Sequence, residues 1–531
     1  MPSPGKLAGA EPLPVPAQRT AAHFLTAAAE HERSMEIPRA MACLESAIEI
    51  AEGGTEPAAL SEALRRLAVL RHNRDEREPA RALAQRSYRV AMSAGQDLLA
   101  AEALNTLGVQ HLKAGALTEA RQAFLEALTL GKDGRVLRGR VEQNLGVVAN
   151  IRGDVDEALF HYAKSLDAYK EAGNDHGCAI AYHNLGMANS DRALLGDAER
   201  DFRASHEIAG RVGDSSLQAL CLVSLADVDV ARQRFENARQ HAEEALALFD
   251  RLGERRGKAD AYRVLGIVYR ELGRTALSES RLLAALELAE LSTATLIEAE
   301  VSRELALLYQ QLGRNQDALG FLNRAHRLFQ RLEARSDVIN IRSKVAALEG
   351  TYFSVVHDWG ASIESSDSFT HGHCERVARN TVRVARELGM DDHEETALLV
   401  GAYLHDLGML KVPHELLRKP EALTLAEEYL LQMHPVWGEE LLHGVEFPWS
   451  VRPIVRWHHE RFDGTGFPDR LIGDQIPVAA QVVGILDEYD SLTTPRFGRE
   501  AMAPDKAAWE MVSRRGRWSP KVFDAFLRVV R

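Results

Sequence analysis

At 531 residues the chain is too long for a single hydrophobic core, and 46% hydrophobic with 27% charged residues gives it the make-up of a globular protein of two or more domains. A net charge of -13 argues against a nucleic-acid polymer as partner, since phosphate-binding surfaces carry a basic stripe, although metal ions could still hold an anionic substrate locally. No run of about 18 apolar residues is present to span a membrane, and the scattered Cys43, Cys178, Cys221 and Cys374 form no CxxC pair, so neither a zinc ribbon nor a disulfide framework is suggested, which fits a reducing, cytoplasmic compartment.

Residues 1–20 contain Pro2, Pro4, Pro12, Pro14 and Pro16 and read as a disordered tail. From residue 21 to about 345 one pattern recurs: a large apolar residue followed by a small one, then a turn, an Ala or Ser, and further core positions. Leu145-Gly146 leads to Gly153, Ala158, Tyr162 and Ser165; Leu265-Gly266 leads to Gly273, Ser278, Leu282 and Ala285. The anchors are Ala27, Leu67, Leu107, Leu145, Leu185, Leu225, Leu265 and Leu305, spaced by 40 residues except for one interval of 38. Each unit predicts two amphipathic helices around a short turn, with small residues allowing close approach. This pattern resembles the tetratricopeptide repeat, in a form longer than the usual ~34 residues. The resemblance implies about eight stacked units and a groove for a protein or peptide partner; a rigid spacer or dimerisation arm, compatible with a homodimer, is the alternative. Ile339 to about Ile363 predicts an unpaired helix, and residues 346–365 are expected to link the repeats to the next domain.

Residues 366–531 carry the chemistry. Ten of the 20 histidines lie in 351–531. Thr370 is a candidate N-cap for a helix with its apolar face at Val377, Thr381, Val384 and Leu388, which turns His373 inward. His405-Asp406 follows the next helix, His434 precedes Pro435 at a helix start, His458 and His459 are adjacent, and Asp487 closes the set. Seven imidazole and carboxylate groups are too many for one tetrahedral site and about right for two divalent ions: iron or manganese, with zinc or nickel as alternatives. Two ions bridged by a carboxylate could hold a hydroxide and clamp a phosphodiester.

The order of these groups resembles the HD-GYP domain, the branch of the HD superfamily that hydrolyses cyclic di-GMP. The resemblance covers about residues 360–531: His373; His405-Asp406; His434-Pro435; His458-His459-Glu460-Arg461-Phe462-Asp463-Gly464-Thr465-Gly466-Phe467-Pro468; and Asp487 in Asp487-Glu488-Tyr489-Asp490-Ser491-Leu492-Thr493. It implies an all-α chain, a repeat solenoid followed by a helical metal-binding domain. It assigns one metal to His373, His405, Asp406 and Asp487 and the other to His434, His458 and His459, with Asp406 bridging. Arg496 and Arg499 stand where the family places substrate-facing arginines. The family's phosphate-contacting lysine is Met409 here, with Lys411 two residues on as a substitute, and the tyrosine of Gly-Tyr-Pro is Phe467. Asp463, Gly464 and Gly466 are expected in a tight loop beside the metals, with Asp463 either orienting a ligand or serving the turn. His371, His414 and His443 are expected at the surface and Cys374 in a structural role. The resemblance implies a cyclic-dinucleotide phosphodiesterase, with cyclic di-GMP the expected substrate, regulated through the repeats. The alternative is a non-catalytic effector that keeps the metal site and binds a nucleotide or partner.

Overall fold

The computed structural model describes residues 20–53, 56–333, 341–364, 372–417, 419, 421–495 and 500–530. Among them every regular element is helical. They divide into two compact units, one ending at Leu252 and one comprising Gly253–Glu333 and the chain from Ile341.

The first unit is a row of helix pairs, from Ala21–Arg33 with Ile37–Gly53 through to Ser215–Ala231 with Phe235–Leu252. The large-small signature has a direct cause. A Cβ at Gly146 would lie 2.5 Å from the ring of Tyr162, and one at Gly186 would lie 2.7 Å from that of Phe202. The small residue makes room for an aromatic from the second helix of its own pair, and those rings are almost wholly buried. The single 38-residue interval falls where the second helix, Leu117–Leu130, has 14 residues against 17 in Val155–Glu171. The chain leaves that helix early at Gly131, where a Cβ would press on Leu137 at 2.8 Å and Ala101 at 2.9 Å.

The second unit begins with two more pairs, Arg255–Glu271 with Thr275–Leu291 and Thr295–Gln311 with Asn315–Glu333. Their first helices are tied by a buried ion cluster: Glu304 accepts from Arg270 and from Arg303, both at 2.6 Å. Glu304 is 3% exposed, and although burial alone would push its carboxyl up, the two guanidinium groups hold it below the ordinary range.

The helix that follows, Ile341–Glu364, begins within the expected stretch but is not unpaired. Its buried Leu348, Tyr352, Val355, Val356 and Trp359 recur at helical spacing. Tyr352 donates to Asn323 Oδ1 at 3.0 Å, Gln310 donates to Asp358 at 2.6 Å, and Lys344 pairs with Glu300. Its other contacts run forward in the chain: the Tyr352 ring meets Trp449 edge-on at 5.0 Å, and Gly360 lies so close to the Tyr403 carbonyl that a Cβ would be 2.7 Å from its oxygen. A sequence reading that assigns a helix no partner fails here because both partners are distant in sequence.

The remaining helices, principally His373–Leu388, Asp392–Leu404, Leu425–Gln432, His434–Leu441, Arg452–Trp457, Val478–Thr493, Pro504–Ser513 and Pro520–Val530, enclose one core. Val377, Val384, Leu398, Ile454, Ile485, Phe523 and Phe526 are its buried members. The expected face of the first helix is inward: Val377, Thr381 and Val384 are buried and Leu388 is partly so. That helix begins at His373 after Gly372, at φ 74°; Thr370 and His371 lie outside the described residues. Two glycines let the elements of the site approach. A Cβ at Gly484 would overlap the His458 carbonyl oxygen, and one at Gly408 would overlap that of His434 and lie 2.6 Å from Gly438 N.

Candidate metal centre

Three of the histidines share one local design. His405 follows the helix Asp392–Leu404, His434 comes just past Leu425–Gln432, and His458 follows Arg452–Trp457. The last carbonyls of a helix have no partner within it, and each histidine uses one. Nδ1 of His405 donates to Ala402 O at 2.7 Å, that of His434 to Leu431 O at 2.8 Å, and that of His458 to Val455 O at 2.9 Å. A carbonyl only accepts, so Nδ1 carries a proton, and the neutral form of each ring is then the one with its lone pair on Nε2. The helices that deliver the first two are fixed at their starts by capping boxes, Asp391 with Glu394 and Thr424 with Glu427.

His373, 3% exposed, differs: its Nδ1 donates to Asp490 Oδ2 at 2.8 Å. The Nε2 atoms then face one another in pairs, His373 with His405 at 3.3 Å and His434 with His458 at 3.3 Å. Two lone pairs opposed at that distance repel unless a proton or a metal cation is shared between them. Asp406 sits between the pairs and turns one oxygen to each. Its Oδ1 is 3.3 Å from His434 Nε2 and 3.9 Å from that of His458, while its Oδ2 is 3.5 Å from His405 and 3.9 Å from His373. Two groups with converging ligand atoms result: Asp406, His434, His458 and His459, and His373, His405 and Asp406. Asp487 lies beside both groups, with Oδ1 3.4 Å from His373 Nε2 and Oδ2 3.9 Å from His459 Nδ1. His459 is stacked on Phe467, ring centres 4.7 Å apart.

The electrostatics suit cations. Burial alone would push the Asp406 carboxyl up, but positive charge on His405, His434 and His373 holds it well below the usual carboxylate range, and the neighbouring carboxylates raise His434 and His373 against the effect of burial; a bound cation would take over that charge and leave the rings neutral. Burial, reinforced by neighbouring imidazoles, pushes His458 and His459 well below an ordinary histidine, so both are neutral, the form that binds metal. Neutral imidazoles and shared carboxylates are a donor set for first-row transition ions.

Lys411 pairs with Glu440 at 2.9 Å. Asp463 is exposed and accepts from Thr465 N at 3.0 Å and Thr465 Oγ1 at 2.6 Å, which makes it a turn residue rather than one orienting a ligand. Gly464 has φ 79°, and a Cβ at Gly466 would lie 2.5 Å from Glu460 Cα and 2.6 Å from His459 O, so the loop closes tightly behind the ligand pair. Arg496 and Arg499 lie outside the described residues. His443 is exposed and Cys374 buried. Sequence reasoning missed three contributors. Asp490 lies one helical turn after Asp487, a spacing that puts both on one face. Arg376 donates to Asp490 through Nε at 2.7 Å and a second nitrogen at 2.9 Å. Glu460, 3% exposed, accepts from Asp469 N at 2.6 Å and Leu471 N at 3.0 Å and so ties down the loop.

The HD domain family profile matches residues 361–522, and the tetratricopeptide repeat profile matches 137–211 and 217–291. The cyclic di-GMP phosphodiesterase response regulator RpfG of Xanthomonas campestris pv. campestris is 37% identical over 32% of this chain and 45% of its own length. The 3'3'-cGAMP-specific phosphodiesterase 3 of Vibrio cholerae is 35% identical over 29% of this chain and 33% of its own, and a cyclic di-GMP phosphodiesterase of Thermotoga maritima 32% identical over 34% and 50%. The chain thus spans half or less of these relatives. With the HD-domain match running from before His373 to beyond Asp487 and the repeat matches falling on the stacked helix pairs, the chain carries an HD domain with tetratricopeptide repeats ahead of it.

Proposed function

We propose that residues 366–531 form a metal-dependent phosphodiesterase that opens a cyclic dinucleotide, with cyclic di-GMP as substrate, and that the repeats regulate it. The observation that carries this reading is the pair of opposed Nε2 contacts at 3.3 Å with one oxygen of Asp406 turned to each. His373, His405, Asp406 and Asp487 would hold one divalent ion and His434, His458 and His459 a second, with both aspartates reaching across; iron or manganese suits this set. Ions bound there would activate a water and neutralise phosphoryl charge. The chain itself orients: backbone carbonyls fix three imidazole tautomers, and Phe467 holds the His459 ring flat. The relatives named for cyclic di-GMP and for 3'3'-cGAMP support the substrate class.

The regulatory part rests on the helix Ile341–Glu364. It packs on the last repeats through Tyr352 and Asn323, and it reaches Tyr403, two residues before His405, through Gly360. A protein or peptide seated on the repeats would bear on the ligands through that helix. Met409, at the position where the family carries lysine, together with the Lys411–Glu440 pair, favours the effector as second reading.

The test is anaerobic purification, metal analysis and assay of cyclic di-GMP and 3'3'-cGAMP hydrolysis beside a His405→Ala/Asp406→Ala control. About two ions per chain with turnover lost in the control is expected. Two ions without turnover on either nucleotide would move the assignment to the effector, and a metal-free wild type would remove the site.

A further inference from the structure

Resting on the two-metal reading, we infer that the two metal positions are under unequal control: Asp490 and Arg376 set the affinity of the His373 position and leave the other position untouched.

Among the described ligand histidines, the back nitrogens of His405, His434 and His458 each meet an uncharged backbone carbonyl, whereas that of His373 meets a carboxylate. Asp490 is 7% exposed and held on both oxygens: Arg376 Nε donates to Oδ1 at 2.7 Å, a second Arg376 nitrogen to Oδ2 at 2.9 Å, and Thr494 Oγ1 to Oδ2 at 3.3 Å. The Oδ2 that accepts from His373 therefore cannot turn away without breaking a two-pronged guanidinium pair. A carboxylate behind an imidazole fixes its orientation and raises the basicity of the far nitrogen, which strengthens metal binding by ~10–100-fold. A backbone carbonyl fixes the tautomer without lending a full charge. Among the described residues, the back nitrogens of His434 and His458 meet carbonyls and not carboxylates, and the carboxylate oxygens near this group, Asp406 Oδ1 and Asp487 Oδ2, lie 3.3 Å from His434 Nε2 and 3.9 Å from His459 Nδ1.

The experiment titrates metal-free full-length protein with manganese(II), counting bound ions by electron paramagnetic resonance and metal analysis. Wild type is expected to take two ions. Asp490→Asn keeps the hydrogen bond and removes the charge. It should weaken one of the two sites by about 10–100-fold and leave the other within about twofold. Arg376→Gln leaves Asp490 in place but unclamped and should weaken the same site less. Helix content and melting temperature of the metal-free variants report whether they fold. Two unchanged sites in folded Asp490→Asn, or equal weakening of both sites, would overturn the inference while leaving the metal centre standing. A wild type that binds no manganese, iron or zinc would remove the two-metal reading itself, and this inference with it.

Discussion

Gly484 offers the sharpest test of how the centre is assembled. A methyl group there would overlap the His458 carbonyl oxygen and lie 3.1 Å from its carbonyl carbon, where ordinary contact is 3.4–4 Å. Neither atom belongs to a flexible side chain, so helix Val478–Thr493 and the His458 backbone would have to separate by roughly 1 Å. His458 would carry its Nε2 away from His434, now 3.3 Å distant. Overpacking of this kind costs about 1–3 kcal/mol, offset by about 0.5–1 kcal/mol from replacing glycine in a helix. Gly484→Ala should therefore destabilise by ~1–2 kcal/mol and reduce bound metal. The same change at Gly350, where nothing lies within 4 Å of the position a Cβ would take, should stabilise by ~0.5–1 kcal/mol. All 6 tryptophans lie beyond residue 341, so tryptophan fluorescence during urea unfolding reports on this part of the chain alone. A Gly484→Ala protein as stable and as metal-rich as wild type would refute the argument.

Three further outcomes are expected. Glu304→Gln would weaken two charge-assisted hydrogen bonds while Arg270 keeps its pair with Glu271, and should cost about 1.5–3 kcal/mol, read as faster hydrogen exchange in the helix Thr295–Gln311. Burial pushes the imidazole of His183, which packs near Phe202 and Ser224, down to about 4. Between pH ~6.5 and about 4 the unfolded chain takes up a proton that the folded chain refuses, so stability falls as pH drops through that window. Exchange protection of the helix Asp175–Asp191 should fall accordingly, and His183→Asn should flatten the dependence; an unchanged slope in that variant would assign it to another group. Chelation should lower the melting temperature of the metal-loaded protein, by an amount equivalent to about 2.7 kcal/mol when the ion had been at 100 times its Kd, and His405→Ala/Asp406→Ala should be indifferent to the chelator.

How much was legible in the sequence follows from which constraints are local. The repeat register was visible because the glycine that follows an anchor faces a side chain of its own helix pair, as Gly146 does Tyr162 and Gly186 does Phe202. Turns were legible where glycine marked them, as at Gly115 and Gly153, but Met35, Asp75, Ala193 and Gln233 adopt the same left-handed backbone with φ near 60° and carry no glycine signal. The ligand-type residues could be read as a set because their types and order are unusual. Their supports could not: the contacts of Asp490 with His373 and of Arg376 with Asp490 join residues more than 100 positions apart. Lys411 shows the reverse limit, since its charge suggested a substrate role and only its pairing with Glu440 gives it another occupation.

The division at Gly253 bears on how such a chain could be rearranged in evolution. The last two repeats share a compact unit with the HD domain, and Trp449 is met by His326 at 5.6 Å and by Tyr352 at 5.0 Å, with Arg327 paired to Glu446 nearby. A recombination joint placed at the end of the repeats would strip Trp449 of the His326 ring and leave the helix Ile341–Glu364 with one apolar side in water. The inheritable cassette is therefore the domain together with its last two repeats, and exchange would be tolerated upstream of them, where repeats can be gained or lost in whole units.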